Sequence, residues 1–215
     1  MPNFKAIFFD NDGLLVDTES LWLKATRETM APYGIEITDE WYTLEVLTKG
    51  GRMISVLAKG NGISEDKIPK LSKLRNDLYT NMLKENVQVL DGVREVLEKL
   101  QGKFLMGVVT TSNREHFGII MEKTGLKKFF SLFVTFEDVK NAKPNPEPYL
   151  KAVELSKVPK EQCLAIEDSG RGLTAAKAAG LSCYIIPEAW SASHDFSGAD
   201  KVLKSIRELP EVLSI

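Results

Sequence analysis

The chain has few of the residues that build covalent or thiolate scaffolds. Cys163 and Cys183 are its only cysteines, and both fall in apolar stretches. Without a CxxC pair or a cysteine framework, disulfide scaffolds and thiolate metal centres are excluded, and two buried, reduced thiols are expected. Histidine is equally scarce: His116 and His194 stand alone, without a partner at metal-ligand spacing. Neither charge sign dominates, since 28 Lys and Arg face 30 Asp and Glu for a net charge of -2. That balance leaves no basic footprint for nucleic acid or for an anionic membrane. No apolar run approaches the roughly 20 residues of a membrane span, and there are no repeats or low-complexity tracts. The first strand-like segment begins within three residues of Met1, too early for a secretion leader to precede it. A cytoplasmic protein with no nucleic-acid or membrane partner is therefore expected, and a monomer is the default for the architecture read below. At 215 residues, 43% hydrophobic and 27% charged, the chain has room for a large core and a smaller second domain.

What the sequence does contain is organised around residues 4–18, FKAIFFDNDGLLVDT. Phe4, Ala6, Ile7, Phe8 and Phe9 read as a strand buried on both faces. Asp10, Asn11, Asp12 and Gly13 follow at once, so two carboxylates emerge at the carboxyl end of that strand, where open α/β sheets bind ligands. From there to about residue 86 the pattern is helical. The first helix ends near Gly34, and a second runs over 38–49 with Thr38 as N-cap before Gly50 and Gly51. A third covers 52–59, and a fourth opens at Ser64 and carries Ile68, Leu71, Leu74, Leu78 and Met82 at spacings of three and four. From Asp91 onward helices alternate with strands at 104–110, 129–136, 163–166 and 183–186, and a last helix is expected at 203–208. Such alternation implies α/β class, a doubly wound parallel sheet in a Rossmann-like core. The predicted domains are residues 1–16 with 88–215 as that core, and 17–87 as an inserted helical cap.

Polar clusters close three of the strands: Asp10 with Asp12, Thr110 with Ser112, and Glu167 with Asp168. Lys143 sits in the turn after another. A parallel sheet brings these ends to one edge. Crowded carboxylates without histidine or cysteine suit a hard cation, Mg²⁺ before Zn²⁺, with Asp10 and Asp168 as first ligands. The lysine and the hydroxyls are surplus to a metal site but suit a phosphate, whose oxygens take charge-assisted hydrogen bonds.

These residues resemble the motifs of the haloacid dehalogenase superfamily, in its β-phosphoglucomutase-like phosphatase group with a helical cap. Asp10, Asp12, Gly13, Asp17 and Thr18 match a DxDGxxxDT motif. Thr110 matches a strand-terminal Thr or Ser, with Thr111 taking that place if the register slips by one. Lys143, Pro144 and Pro146 match a KPxP turn. Glu167, Asp168, Ser169, Gly172, Ala175, Ala176, Ala179 and Gly180 match an EDSxxGxxAAxxAG motif. The resemblance implies a Mg²⁺-dependent hydrolase that releases phosphate from a small, sugar-like phosphate ester through an aspartyl-phosphate. It implies Asp10 as nucleophile and Asp12 as general acid and base. Asp10, Asp12 through its carbonyl, and Asp168 would hold Mg²⁺, with Glu167 as a ligand or as a neighbour of one. Thr110, Thr111, Ser112 and Lys143 would bind the phosphoryl group. Trp22, Arg52 and Arg75 are candidate substrate contacts from the cap. Asn11 stands where an apolar residue is expected and is assigned no role.

Bland readings accompany each assignment. Lys143 alone would be an exposed turn lysine, one of Thr110, Thr111 and Ser112 is expected to cap the helix from Arg114, and the three tryptophans would serve packing. A dinucleotide-binding reading of Gly170, Gly172 and Ala175 places Glu167 and Asp168 where a pyrophosphate would lie. A phosphoacceptor receiver domain has no helical insertion. A dehalogenase lacks the second aspartate, here Asp12. A phosphomutase remains the alternative to a phosphatase, although Trp22 stands near where related mutases carry a histidine.

Overall fold

The computed structural model describes residues 3–48 and 53–215. These divide into two compact units, Thr18–Val87 and the remainder, formed by residues up to Asp17 and from Gln88 onward.

The larger unit opens with β1 (Ala6–Phe9), four residues all buried. A two-residue β2 (Val16–Asp17) follows. In the helical unit, α1 (Glu19–Met30) gives way to a 3₁₀ turn that ends at Gly34. Then come α2 (Asp39–Tyr42), α3 (Met53–Gly60) and α4 (Ile68–Asn86). Thr38 caps α2, its hydroxyl accepting the Trp41 N–H at 3.1 Å. The helix expected over 38–49 is α-helical only to Tyr42, because Thr43–Thr48 winds as a π-helix; Lys49, Gly50 and Gly51 lie outside the described residues. Residues 65–67 form a 3₁₀ turn before α4. Inside this unit Trp22 and Tyr79 meet edge to face with ring centroids 4.8 Å apart, and the Arg75 guanidinium lies 3.5 Å from the Trp22 ring centre.

The chain returns to the larger unit through β3 (Gln88–Val89), which pairs antiparallel with β2. Then follow α5 (Val93–Leu100), β4 (Leu105–Val109), α6 (Arg114–Thr124) and β5 (Leu132–Val134). After these come α7 (Glu147–Ser156), β6 (Cys163–Glu167), α8 (Gly170–Ala178), β7 (Ser182–Ile185), β8 (Lys201–Val202) and α9 (Leu209–Val212). Six strands make one sheet in the order β5-β4-β1-β6-β7-β8, parallel at every pair. The parallel α/β fold predicted from alternation is the fold observed.

Two further predicted elements are corrected. The strand expected over 129–136 is only Leu132–Val134, because Leu126–Phe129 turns as 3₁₀ helix. Of the aromatic residues in that run only Phe129 and Phe130 are buried, with Phe130 packed edge to face on Phe9 at 5.9 Å, whereas Phe136 is 53% exposed. The helix expected over 203–208 is only a 3₁₀ turn at Ile206–Glu208, with the edge strand β8 before it and the short α9 after it. Val202 is 54% exposed, so an edge strand of two residues carries no burial pattern to reveal it.

Chain order turns back across β1. It runs outward through β4 and β5, then crosses to β6 on the other side, which makes the carboxyl ends of β1 and β6 the switch point where such sheets bind ligands. Beneath that edge Phe8, Val134, Tyr149, Ala165, Leu173 and Ile185 share one buried apolar cluster. Cys163 and Cys183 lie in it as free, buried thiols.

Candidate active site

The first polar residue past β1 remains in the sheet's hydrogen-bond register, with the Asp10 N–H donating to the Ile166 carbonyl at 2.9 Å. The chain then turns sharply. The Asn11 carbonyl accepts the N–H groups of Leu15 at 2.9 Å and Val16 at 3.2 Å, and Gly13 adopts φ +79°. Glycine is needed there twice over. The left-handed conformation disfavours a side chain, and a Cβ on Gly13 would stand 2.7 Å from Asp168 Oδ2. The turn thus brings the first motif against the last.

One oxygen from each of Asp10, Glu167 and Asp168 lies within 4.8 Å of the others, and all three residues are buried. Lys143 reaches into this group from the turn before α7. Its ammonium donates to Asp10 Oδ1 at 2.8 Å, Glu167 Oε1 at 2.5 Å and the Val109 carbonyl at 2.7 Å. The Arg171 guanidinium holds the lysine's own carbonyl at 2.7 Å, tying the turn to α8. On the opposite side Asp12 Oδ2 accepts the hydroxyls of Thr110 at 2.9 Å and Ser112 at 2.8 Å, while the Ser112 N–H donates to Thr110 Oγ1.

Burial, opposed by the Lys143 charge and reinforced by the charges of Glu167 and Asp12, pushes the Asp10 carboxyl up to about 7. Burial pulls the other way on Lys143, but the Asp10 and Glu167 carboxylates outweigh it and hold the ammonium above its ordinary value. The pocket therefore keeps one permanent cation among three buried carboxyls. An all-oxygen donor set with excess negative charge fits a hard divalent cation, and Gly13 puts no Cβ against the Asp168 carboxylate.

Asp10, Asp12, Thr110, Ser112, Lys143, Glu167 and Asp168 are thus brought together. Thr111 is not: its side chain is exposed, outside the hydroxyl pair that meets Asp12. None of the three expected hydroxyls caps α6. Asn113 does, its side-chain oxygen accepting the His116 N–H at 2.8 Å. Trp22 and Arg75 pack on each other in the helical unit, and Arg52 lies outside the described residues. Three residues with a place in or beside the site were given no role from the sequence. Tyr149 is fully buried and its hydroxyl donates to Glu167 Oε1 at 2.5 Å. Arg171 carried no signal beyond its place inside the last motif. Asn11 is fully buried, with neither amide atom hydrogen-bonded among the described residues.

The sequence pattern of the haloacid dehalogenase-like hydrolases matches residues 7–186. The chain belongs to that family. Among related proteins, the CbbY protein of Rhodobacter capsulatus is 33% identical over 208 residues, covering 91% of each chain. The phosphorylated carbohydrates phosphatase of Thermotoga maritima is 31% identical over 181 residues, 82% of each. A crystal structure of CbbY from Rhodobacter sphaeroides in complex with xylulose-(1,5)bisphosphate superposes with a TM-score of 0.83 at 27% identity, over 96% of each chain. This haloacid dehalogenase-like hydrolase is an enzyme of the phosphatase group. No helix among the described residues is long and apolar enough to cross a membrane.

Proposed function

We propose that this hydrolase is a Mg²⁺-dependent phosphomonoesterase acting on a small sugar-like phosphate through a phosphorylated Asp10. The observation that carries the reading is the placement of Lys143. One ammonium binds Asp10 and Glu167 together, beside a carboxylate, Asp12, that two hydroxyls hold in place. Asp10, Asp168, Glu167 and the main-chain carbonyl of Asp12 would hold the metal. When bound, Mg²⁺ supplies positive charge that offsets the negative charge of the phosphoryl oxygens.

In the first step a carboxylate oxygen of Asp10 forms a bond to phosphorus while the ester P–O bond breaks, and Asp12 gives its proton to the departing alcohol oxygen. In the second, Asp12 takes a proton from water as the water oxygen bonds to phosphorus, and the Asp10–phosphorus bond breaks to release inorganic phosphate. Lys143 steadies the charge on the transferring group, with Thr110 and Ser112 donating hydroxyl hydrogen bonds as they now do to Asp12. The sugar-like substrate is supported by the related proteins, one a phosphatase of phosphorylated carbohydrates and one crystallised with a sugar bisphosphate.

Phosphate release from a panel of sugar phosphates and simple phosphomonoesters, with and without Mg²⁺, tests this reading against Asp10→Asn. Turnover is expected only with both the metal and Asp10. Release that survives Asp10→Asn would remove the nucleophile assignment, and release indifferent to Mg²⁺ would remove the metal.

A further inference from the structure

Lys143 has three N–H protons, and three acceptors already hold them: Asp10, Glu167 and the Val109 carbonyl. To donate to a substrate's phosphoryl oxygen it must release one of these. Release of Glu167 would leave a fully buried carboxylate without its cation, and such a group turns or takes up a proton. The structure holds a second donor on that same oxygen. Tyr149, on the first turn of α7 and itself fully buried, donates to Glu167 Oε1 at 2.5 Å. Its ring also lies 5.1 Å from the Lys143 ammonium. A third wall comes from α8: a Cβ at Gly172 would overlap the Glu167 carboxylate, so the helix can lie against it only with glycine there. Glu167 Oε2 receives just a long contact from Ser169, at 3.5 Å.

We propose that Tyr149 is a positioning residue for the metal centre: its hydroxyl, beside the Lys143 ammonium on the same Oε1, fixes Glu167 in the orientation that presents its carboxylate to a divalent cation together with Asp10 and Asp168. This inference rests on the metal reading above.

The test is direct cation binding without substrate. The metal-free protein is titrated with Mn²⁺ by electron paramagnetic resonance, and Mg²⁺ is measured by competition. Tyr149→Phe keeps the ring and removes only the donor. It is expected to weaken Mg²⁺ binding about tenfold, the lower end of what loss of a ligand's hydrogen-bond partner costs. Gly172→Ala presses on the same carboxylate from the other side and is expected to weaken binding while leaving Tyr149 intact. A Tyr149→Phe protein of lower melting temperature but unchanged Mg²⁺ affinity would overturn the proposal and leave Tyr149 a structural residue. A wild-type protein that binds neither cation would overturn the metal reading itself, together with this inference.

Discussion

Replacing Lys143 by methionine tests whether this side chain is the counter-charge of the site. The change keeps most of the stem's bulk and removes the ammonium that binds Asp10 Oδ1 at 2.8 Å and Glu167 Oε1 at 2.5 Å. Breaking a buried ion pair by deleting one partner costs about 3–5 kcal/mol, and that loss is expected for the metal-free protein at pH 8. It should shrink in acid. In the variant the two buried carboxyls face each other without a cation, so the folded state keeps a proton up to pH 8, whereas in the wild type the Asp10 carboxyl, pushed up to about 7, loses its proton across the interval from pH 6 to pH 8. A carboxyl whose folded pKa lies above its unfolded value stabilises the protein at low pH, and that contribution is lost as pH rises through the folded pKa. An average excess of about half a proton between pH 6 and pH 8 changes the difference by about 0.7 kcal/mol per pH unit, or about 1.4 kcal/mol in all. The variant should thus be about 2–4 kcal/mol less stable than wild type at pH 6. Urea unfolding with EDTA present, followed by circular dichroism at the two pH values, measures both numbers. A loss below about 1 kcal/mol at pH 8, or the same loss at both pH values, would refute the counter-charge role.

Two further outcomes follow from the same site. Because burial pushes the Asp10 carboxyl up to about 7 in the metal-free protein, a cation must displace its proton below that pH. Apparent Mg²⁺ affinity should therefore fall about a hundredfold from pH 8 to pH 5, and a calorimetric titration that is flat across this range would contradict the shift. Asn11→Leu places an apolar side chain where the amide lacks hydrogen-bond partners among the described residues. It should stabilise the protein by about 1–2 kcal/mol, seen as a higher urea midpoint with unchanged slope, and a lower midpoint would show that the amide is satisfied.

Much of the site was legible because its residues sit at strand ends. Asp10, Thr110 and the pair Glu167–Asp168 each follow an apolar run, and parallel strands place all such ends on one edge whatever the intervening chain does. Lys143 was legible only through its motif, since a lysine before proline otherwise reads as solvated turn. Tyr149 was not legible: an aromatic residue at the start of a helix is ordinarily core, and nothing local shows that its hydroxyl ends against a carboxylate 18 residues away. Arg171 was hidden likewise, because its partner is a main-chain carbonyl 28 residues earlier. The 129–136 run misled because burial and aromaticity do not separate a strand from a packed turn.

The sequence by itself determined the α/β class, the family motifs and the inventory of carboxylates, hydroxyls and one lysine, because periodicity, strand-end polarity and motif spacing are local properties of the chain. Only the tertiary structure decided which of those groups bond to which. That one ammonium serves both Asp10 and Glu167, that Asp12 rests on Thr110 and Ser112, and that Tyr149 shares the oxygen Lys143 uses are facts of three-dimensional contact. They depend on the strand order that carries β6 to the far side of β1, and on glycines at 13 and 172 that let backbone approach carboxylate. No one-dimensional pattern encodes such distances, since each joins residues separated by a whole strand, helix or unit of the fold.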